Sequence, residues 1–457
     1  MNITQKVDLL NGRIGPTLVK LALPIMGTSM VQMAYNLIDM IWIGRVSADA
    51  VASVGAAGML MWISFGLSTI PRIGGQVNSA QAIGAGDPER AGRYIQAALH
   101  MGALLMVIYT LVCFFCNGPM IGFFKLNSPD VIADARSYLV IVACGYVFTF
   151  TSQIFTGMFT AMGASTVVLR STSVGLVANA ILDPILIFGV GPIPRMEVAG
   201  AALATVIAQG FVCFMFILAA RRDNYIFPHV KVRQRSRLED WKQVIRIGLP
   251  VALQHLFFSF LSMVIARLVA GWGDLAIASQ KVGGQIESIS YMAIEGFGTA
   301  VNAFTAQNYG AHKPERIKQG YAAAMRIMLI WGAITTFALV VFPAQLFRIF
   351  IADESVLPIG VSYLRIMGYS QIFMCLEIAS AGAFQGLGKP IPPTVIGIIG
   401  NVARVPMAML LSATALGLDG VWWSITISSC AKGIVCFTWF VIILRRFLRK
   451  VSELKEW

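Results

Sequence analysis

The residues of this sequence whose type and place call for chemistry are two aspartates inside apolar runs. Asp39 lies in NLIDMIWIG and Asp183 in ANAILDPILIF. A carboxylate in a lipid-surrounded segment costs about 2.5–3.5 kcal/mol on insertion scales, so each is a functional hypothesis by default. Asp39 sits about five or six residues, and Asp183 about seven, from the same end of their runs. At about 1.5 Å per residue both lie roughly 8–11 Å below one membrane boundary. Asn179 is one helical turn before Asp183, and Tyr35 one turn before Asp39. Asn36 falls near the same face, and Thr205 enters a later run at comparable depth. Two carboxylates close together in a low dielectric do not both ionise easily unless a cation sits between them. The set is therefore suited to hold a proton, or Na⁺ on oxygen ligands. The bland alternative is that each aspartate only caps or pairs within its own bundle.

The elements that must position these residues follow from composition. Of 457 residues, 57% are hydrophobic and 12% charged, where a soluble chain carries about 25% charged residues. Lipid must be the solvent for most of the chain. The net charge of +13 fits a nucleic-acid binder or the positive-inside bias of a membrane protein, and the apolar background favours the second. The seven cysteines sit in apolar runs. Cys113 and Cys116 enclose two phenylalanines, which reads as packing and not as metal or redox chemistry. No cleavable signal peptide is expected, because the first apolar run, to Gly44, is too long for one.

Apolar stretches predict twelve spans, near 17–44, 53–80, 94–117, 137–160, 167–190, 198–220, 246–270, 276–305, 320–342, 360–385, 393–414 and 420–444. With both termini in the cytoplasm, Lys6, Arg13, Arg90, Arg93, Lys313, Arg316, Lys318, Lys389 and the basic tail from Arg445 fall inside. The outer loops then keep only Arg45, Lys125, Arg136, Arg195 and Arg348. The basic central segment, RRDNYIFPHVKVRQRSRLEDWK, either contacts anionic headgroups or serves only as a topogenic signal and tether.

The halves repeat. Leu23-Pro24 matches Leu249-Pro250, and Pro88-Glu89-Arg90 matches Pro314-Glu315-Arg316, both 226 positions apart. Ser137-Tyr138-Leu139 matches Ser362-Tyr363-Leu364, and Asn179 and Pro184 match Asn401 and Pro406 at slightly shorter offsets. The expected fold is all-α and polytopic, with twelve transmembrane helices as two six-helix bundles, 1–220 and 246–457, joined by a basic linker at 221–245. Six is even, so both halves enter the membrane in one direction and the pseudo-twofold runs along its normal. Facing bundles suit alternating access, which favours a transporter over a channel or receptor.

Pro24 falls mid-span and is expected to kink the first helix, as a hinge or as a fixed shape. The repeat places Ile265 opposite Asp39 and Val405 opposite Asp183, so the acidic pair belongs to the first half alone. The second half has Lys281, Glu287, Glu295, Arg365, Glu377 and Arg404 in its spans, with His255 in span seven. Lys281 and Arg365 are expected to snorkel. Glu287, Glu295, Glu377 and His255 are candidates for a substrate cleft. Glu295 and Glu377 either attract a cationic substrate or pair with Arg404 or Arg326.

On these residues the chain resembles the multidrug and toxic compound extrusion (MATE) family. The resemblance spans the chain and rests on LALP with Pro24, NLIDMIWIGR, NAILDP, GAALAT and the paired GAGDPER and YGAHKPER loops. It implies export of cationic or lipophilic compounds in exchange for H⁺ or Na⁺. It also implies that Asp39, Asn179, Asp183, Thr205 and Tyr35 form the first-lobe cation site of the DinF-type branch. Span seven lacks the carboxylate of the NorM-type branch and has His255 instead, with Glu377 as a remnant of such a site. No cofactor is implied beyond the coupling ion. A monomer in the cell membrane is expected, with a small cationic or amphipathic substrate and no nucleic acid. The alternatives are a flippase for lipid-linked saccharides and, more remotely, a membrane-embedded enzyme. No GxxxxGK[ST], HExxH or GxSxG occurs, so neither ATP use nor enzymatic activity is expected.

Overall fold

Backbone N–H and C=O groups in hydrocarbon must be satisfied within the chain, which leaves helices as the economical solution for a single apolar segment. The structure, a computed structural model, describes residues 6–126, 128–350 and 356–455, and these are helical apart from connections. The outermost ends of the two expected bundles, 1–5 and 456–457, lie outside the described residues. The helices are α1 (Ile14–Gly44), α2 (Ala48–Gly84), α3 (Pro88–Gly122), α4 (Pro129–Ala161), α5 (Ser165–Phe188), α6 (Glu197–Arg221) and α7 (Leu238–Ala270). They continue as α8 (Asp274–Gly310), α9 (Pro314–Val341), α10 (Pro343–Arg348), α11 (Leu357–Gly368), α12 (Gln371–Gly386), α13 (Ile391–Ser412) and α14 (Leu418–Lys455). A 3₁₀ turn, Phe227–His229, interrupts the linker.

Among the described residues, ten helices are long and apolar enough to cross a membrane. The eighth and tenth spans are the other two. α8 carries Lys281, Glu287 and Glu295 along its length. The tenth span is broken at Tyr369 and Ser370 into α11 and α12, of 12 and 16 residues. The short α10 is a connector. Large apolar side chains such as Phe115, Leu410 and Trp62 are exposed, as lipid-facing surfaces require.

The repeat is preserved in backbone geometry. α2 ends with Ala85 N–H donating to Gln81 O at 3.0 Å and Asp87 N–H to Ala82 O at 3.0 Å; α8 ends with Ala311 to Gln307 at 2.9 Å and Lys313 to Asn308 at 2.9 Å. The residue at the turn is left-handed in both, Gly86 at φ 73° and His312 at φ 54°. The second half therefore holds a histidine where glycine is the unstrained choice. Gly163 and Gly388 close the next pair, at φ 75° and 72°.

The chain forms two compact units, and the division is not a cut in the linker. The first unit holds the N-terminal residues to Val7 and Gly27–Ala252; the second holds Asp8–Met26 and Leu253–Trp457. This division by contacts differs from the expected bounds of 220 and 246. The linker and the start of α7 belong to the first unit, and the start of α1 to the second. α1 and α7 are continuous helices of 31 and 33 residues, long enough to pack one stretch in each unit. Met26 meets Gly296 in the second unit, whereas Gly27 meets Leu169 in the first. The two changeover points are 226 residues apart, and each follows a proline, Pro24 or Pro250, by two residues.

In the first unit Phe155, Phe159 and Phe216 stack at centroid separations near 6 Å. Close glycine contacts bind α2 to α7: Gly74 leaves no room for a Cβ against Val244 O, nor Gly248 against Ile70 O. Lys6 ties the N-terminal arm to Asp223 at 2.6 Å. In the second unit Trp422 sits edge-on to Tyr363 at 5.2 Å.

Candidate functional site

Three helices of the first unit bring the predicted residues together. α1 presents Tyr35 and Asp39 one turn apart, α5 presents Asn179 and Asp183 one turn apart, and α6 presents Thr205. Asp39 and Asp183 each lie five residues before the last residue of their helix, so the matched depth inferred from the sequence becomes an equal one. Asn179 Nδ2 donates to Asp183 Oδ1 at 3.0 Å. Asn179 and Asp183 are fully buried, at 0% exposure, and Thr205 is buried. The Asp39 carboxylate faces Asp183 and Asn179, and the Tyr35 hydroxyl lies beside Thr205.

Each of the five residues keeps one buried oxygen without a hydrogen-bond partner among the described residues: Tyr35 OH, Asp39 Oδ1, Asn179 Oδ1, Asp183 Oδ2 and Thr205 Oγ1. Buried polar atoms are seldom left unpaired, and each orphan costs about 1–3 kcal/mol. Neither aspartate forms an ion pair with a basic side chain among the described residues. Pro184 follows Asp183 inside α5 and supplies no N–H to the carbonyl of Ala180, so that oxygen also lacks its usual donor. An all-oxygen set with two carboxylates suits a hard monovalent cation or a proton.

Sequence reasoning missed Tyr138. It is buried on α4 and faces Thr205, Asp39 and Asp183. Its signal was present, since Ser137-Tyr138-Leu139 is a repeat landmark, and its counterpart Tyr363 donates to a carboxylate in the second unit. Asn36, by contrast, is exposed.

The other candidates lie in the second unit. Glu287 on α8 accepts from Tyr363 OH at 3.3 Å and from Gln371 Nε2 at 3.4 Å. Glu377 on α12 pairs with Lys432 on α14 at 3.1 Å. The expected partners Arg404 and Arg326 are not its ion-pair partners; Arg404 instead donates to Ser428 Oγ and Ser429 Oγ, at 3.2 and 3.0 Å. Lys432, a charge inside span twelve, went uncounted among the interior charges. Glu295 is half-buried and forms no ion pair among the described residues. His255 is exposed on the second-unit part of α7. α1 runs as continuous helix through Pro24.

Repeated six-span halves, lipid-facing exteriors and a buried oxygen cluster define a polytopic membrane transporter. The family model described as MatE matches the chain twice, over residues 24–185 and 250–410. The chain belongs to this family of MATE transporters, which are not enzymes. The two matches begin at Pro24 and Pro250, in register with the repeat. Among its relatives, the probable multidrug resistance protein NorM of Thermotoga maritima is 28% identical over 420 residues, covering 89% of this chain and 87% of that protein. The FAD transporter of Shewanella oneidensis is 24% identical, covering 94% and 95%. A MATE crystal structure in the bent conformation shares the fold with a TM-score of 0.90 at 24% identity, covering 98% and 99%.

Proposed function

We propose that the protein is a secondary antiporter that exports cationic or amphipathic small molecules in exchange for H⁺ or Na⁺. The observation that carries this reading is the cluster of orphaned oxygens around Asp39 and Asp183, which among the described residues forms no ion pair with a basic side chain. The ion binds there from outside. Its charge draws the ends of α1, α5 and α6 together, with Pro24 as the hinge in α1. Substrate then leaves, and the ion-loaded protein returns inward by alternating access. Na⁺, where it is the coupling ion, takes Asp39, Asn179, Asp183 and Thr205 as ligands; a proton is shared by the aspartates. No cofactor takes part.

The names of the multidrug-resistance relatives support a drug-like substrate. Glu287 and Glu295 in the second unit form no ion pair among the described residues, which favours a cationic substrate over the pyrophosphate of a lipid-linked saccharide. The distribution of Lys and Arg supports a cell-membrane protein with both termini cytoplasmic, and the protein is proposed to act as a monomer. The oxygen set also supports placement in the DinF-type branch.

The test is efflux of a fluorescent organic cation from proteoliposomes under separately imposed pH and Na⁺ gradients. One gradient is expected to drive efflux, and Asp39→Asn to abolish that drive. Efflux indifferent to both gradients would overturn the proposal.

A further inference from the structure

The segment from Arg221 to Arg246 holds eight Lys and Arg against three Asp and Glu. Two of those acids are taken by cations from outside it, Asp223 by Lys6 at 2.6 Å and Asp240 by Arg93 at 4.0 Å. Among the described residues, none of the eight basic side chains forms an ion pair. The positive charge of the linker is therefore uncompensated by the protein.

Nor is this segment a loose tether. One face of α3 clasps it at three successive turns. Gly92 meets the backbone of His229 with no room for a Cβ. Gln96 Nε2 donates to Gln234 O at 2.6 Å. His100 holds it with both ring nitrogens, Nε2 on Val232 O at 2.7 Å and Nδ1 on Ser236 Oγ at 2.6 Å. A carbonyl only accepts, so Nε2 carries a hydrogen. The clasp borders an open, shallow cavity of about 530 Å³ whose lining includes His100, Arg233, Arg235, Ser236, Leu238 and Trp241.

Two features of this cavity point to its ligand. Arg233 and Arg235 are exposed and without an ion-pair partner, and guanidinium groups match phosphate oxygens in a two-pronged geometry. Beside them, Val232 in the linker and Leu238 at the start of α7 present apolar side chains, 54% and 70% exposed, where the chain approaches the membrane as α7. Trp241 stands at that boundary, as aromatic residues do at headgroup level. A soluble phosphate would use the arginines and leave the apolar side chains in water; a phospholipid uses both.

We propose that this cavity binds the phosphate-bearing headgroup of an anionic phospholipid from the leaflet on the linker's side, with its acyl chains against Val232 and Leu238. The bound lipid fastens the clasped linker to the membrane surface.

The test follows thermal unfolding of the full-length protein in neutral detergent as phosphatidylglycerol, phosphatidylcholine or inorganic phosphate is added. Phosphatidylglycerol is expected to raise Tm by several degrees, and the other two to leave it unchanged. The pair Arg233→Gln and Arg235→Gln is expected to remove at least half of the rise. The pair Arg221→Gln and Arg222→Gln removes equal charge from exposed positions outside the cavity and is expected to keep it. A rise retained in the Arg233/Arg235 variant overturns the proposal. An equal loss in both variants assigns the effect to bulk charge and also overturns it. An equal rise with inorganic phosphate makes the cavity a simple anion site and sinks the lipid assignment.

Discussion

Replacing Asp39 with asparagine keeps the side chain's shape and one acceptor oxygen but removes one unit of negative charge. A monovalent cation about 4 Å from a carboxylate, at an effective dielectric of about 20, is held by about 4 kcal/mol. Loss of that attraction corresponds to roughly a thousandfold weaker ion binding. Asp183→Asn is expected to lose at least as much, because Asp183 is the fully buried member and is the one oriented by Asn179. Neither variant should unfold: removing a buried carboxylate that has no basic partner leaves Tm equal to or above that of the unmodified protein. The assay is ion-gradient-driven exchange in proteoliposomes, titrated with the coupling ion, alongside equilibrium binding of the transported cation in detergent. Apparent ion affinity should fall by two to four orders of magnitude while the folded fraction is unchanged. If both variants keep an ion affinity within about threefold of the unmodified protein, the electrostatic reasoning is refuted and coupling resides elsewhere.

Lys432→Met should leave the half-buried Glu377 uncompensated, destabilising the protein by up to about 3–5 kcal/mol; adding Glu377→Gln should restore most of the loss, as read by thermal unfolding. Gly248→Ala drives a methyl group into the Ile70 carbonyl, and overpacking of about 1–3 kcal/mol should appear as a lowered Tm with no change in ion affinity. Burial alone would raise the Asp223 carboxyl, but the Lys6 ammonium and the N–H groups of Ile226 and Phe227 outweigh it and hold it below its ordinary value of 3.8. Its stabilisation is therefore complete above the ordinary carboxylate range and is lost only as pH falls through the depressed value. Protease cleavage of the N-terminal arm should stay constant from neutral pH to pH 5 and rise only in stronger acid, and Asp223→Asn should remove that pH dependence.

Much of the candidate site was legible because lipid makes charge conspicuous. Asp39 and Asp183 stood out as charges in apolar runs, and helical spacing alone put Tyr35 and Asn179 beside them. Tyr138 was not legible as a site residue, because its contribution depends on how α4 is turned about its own axis. Glu377 illustrates the same limit. Its place inside a span was visible, but the choice among Arg326, Arg404 and Lys432 depends on which helix packs beside it.

The sequence by itself determined the number of spans, the repeat and the depth of each charge, because hydrocarbon thickness and helical rise convert residue number directly into position along the membrane normal. Only the tertiary structure decided the rest. It turned the broken tenth span into two short helices, placed the starts of α1 and α7 in different units from their ends, and clasped the linker onto α3. These outcomes depend on helix rotation and neighbour choice, which are settled by close packing between segments far apart in the chain. The acidic pair stands between the two cases: its depth is written in the sequence, whereas its five converging oxygens exist only once α1, α5 and α6 have packed.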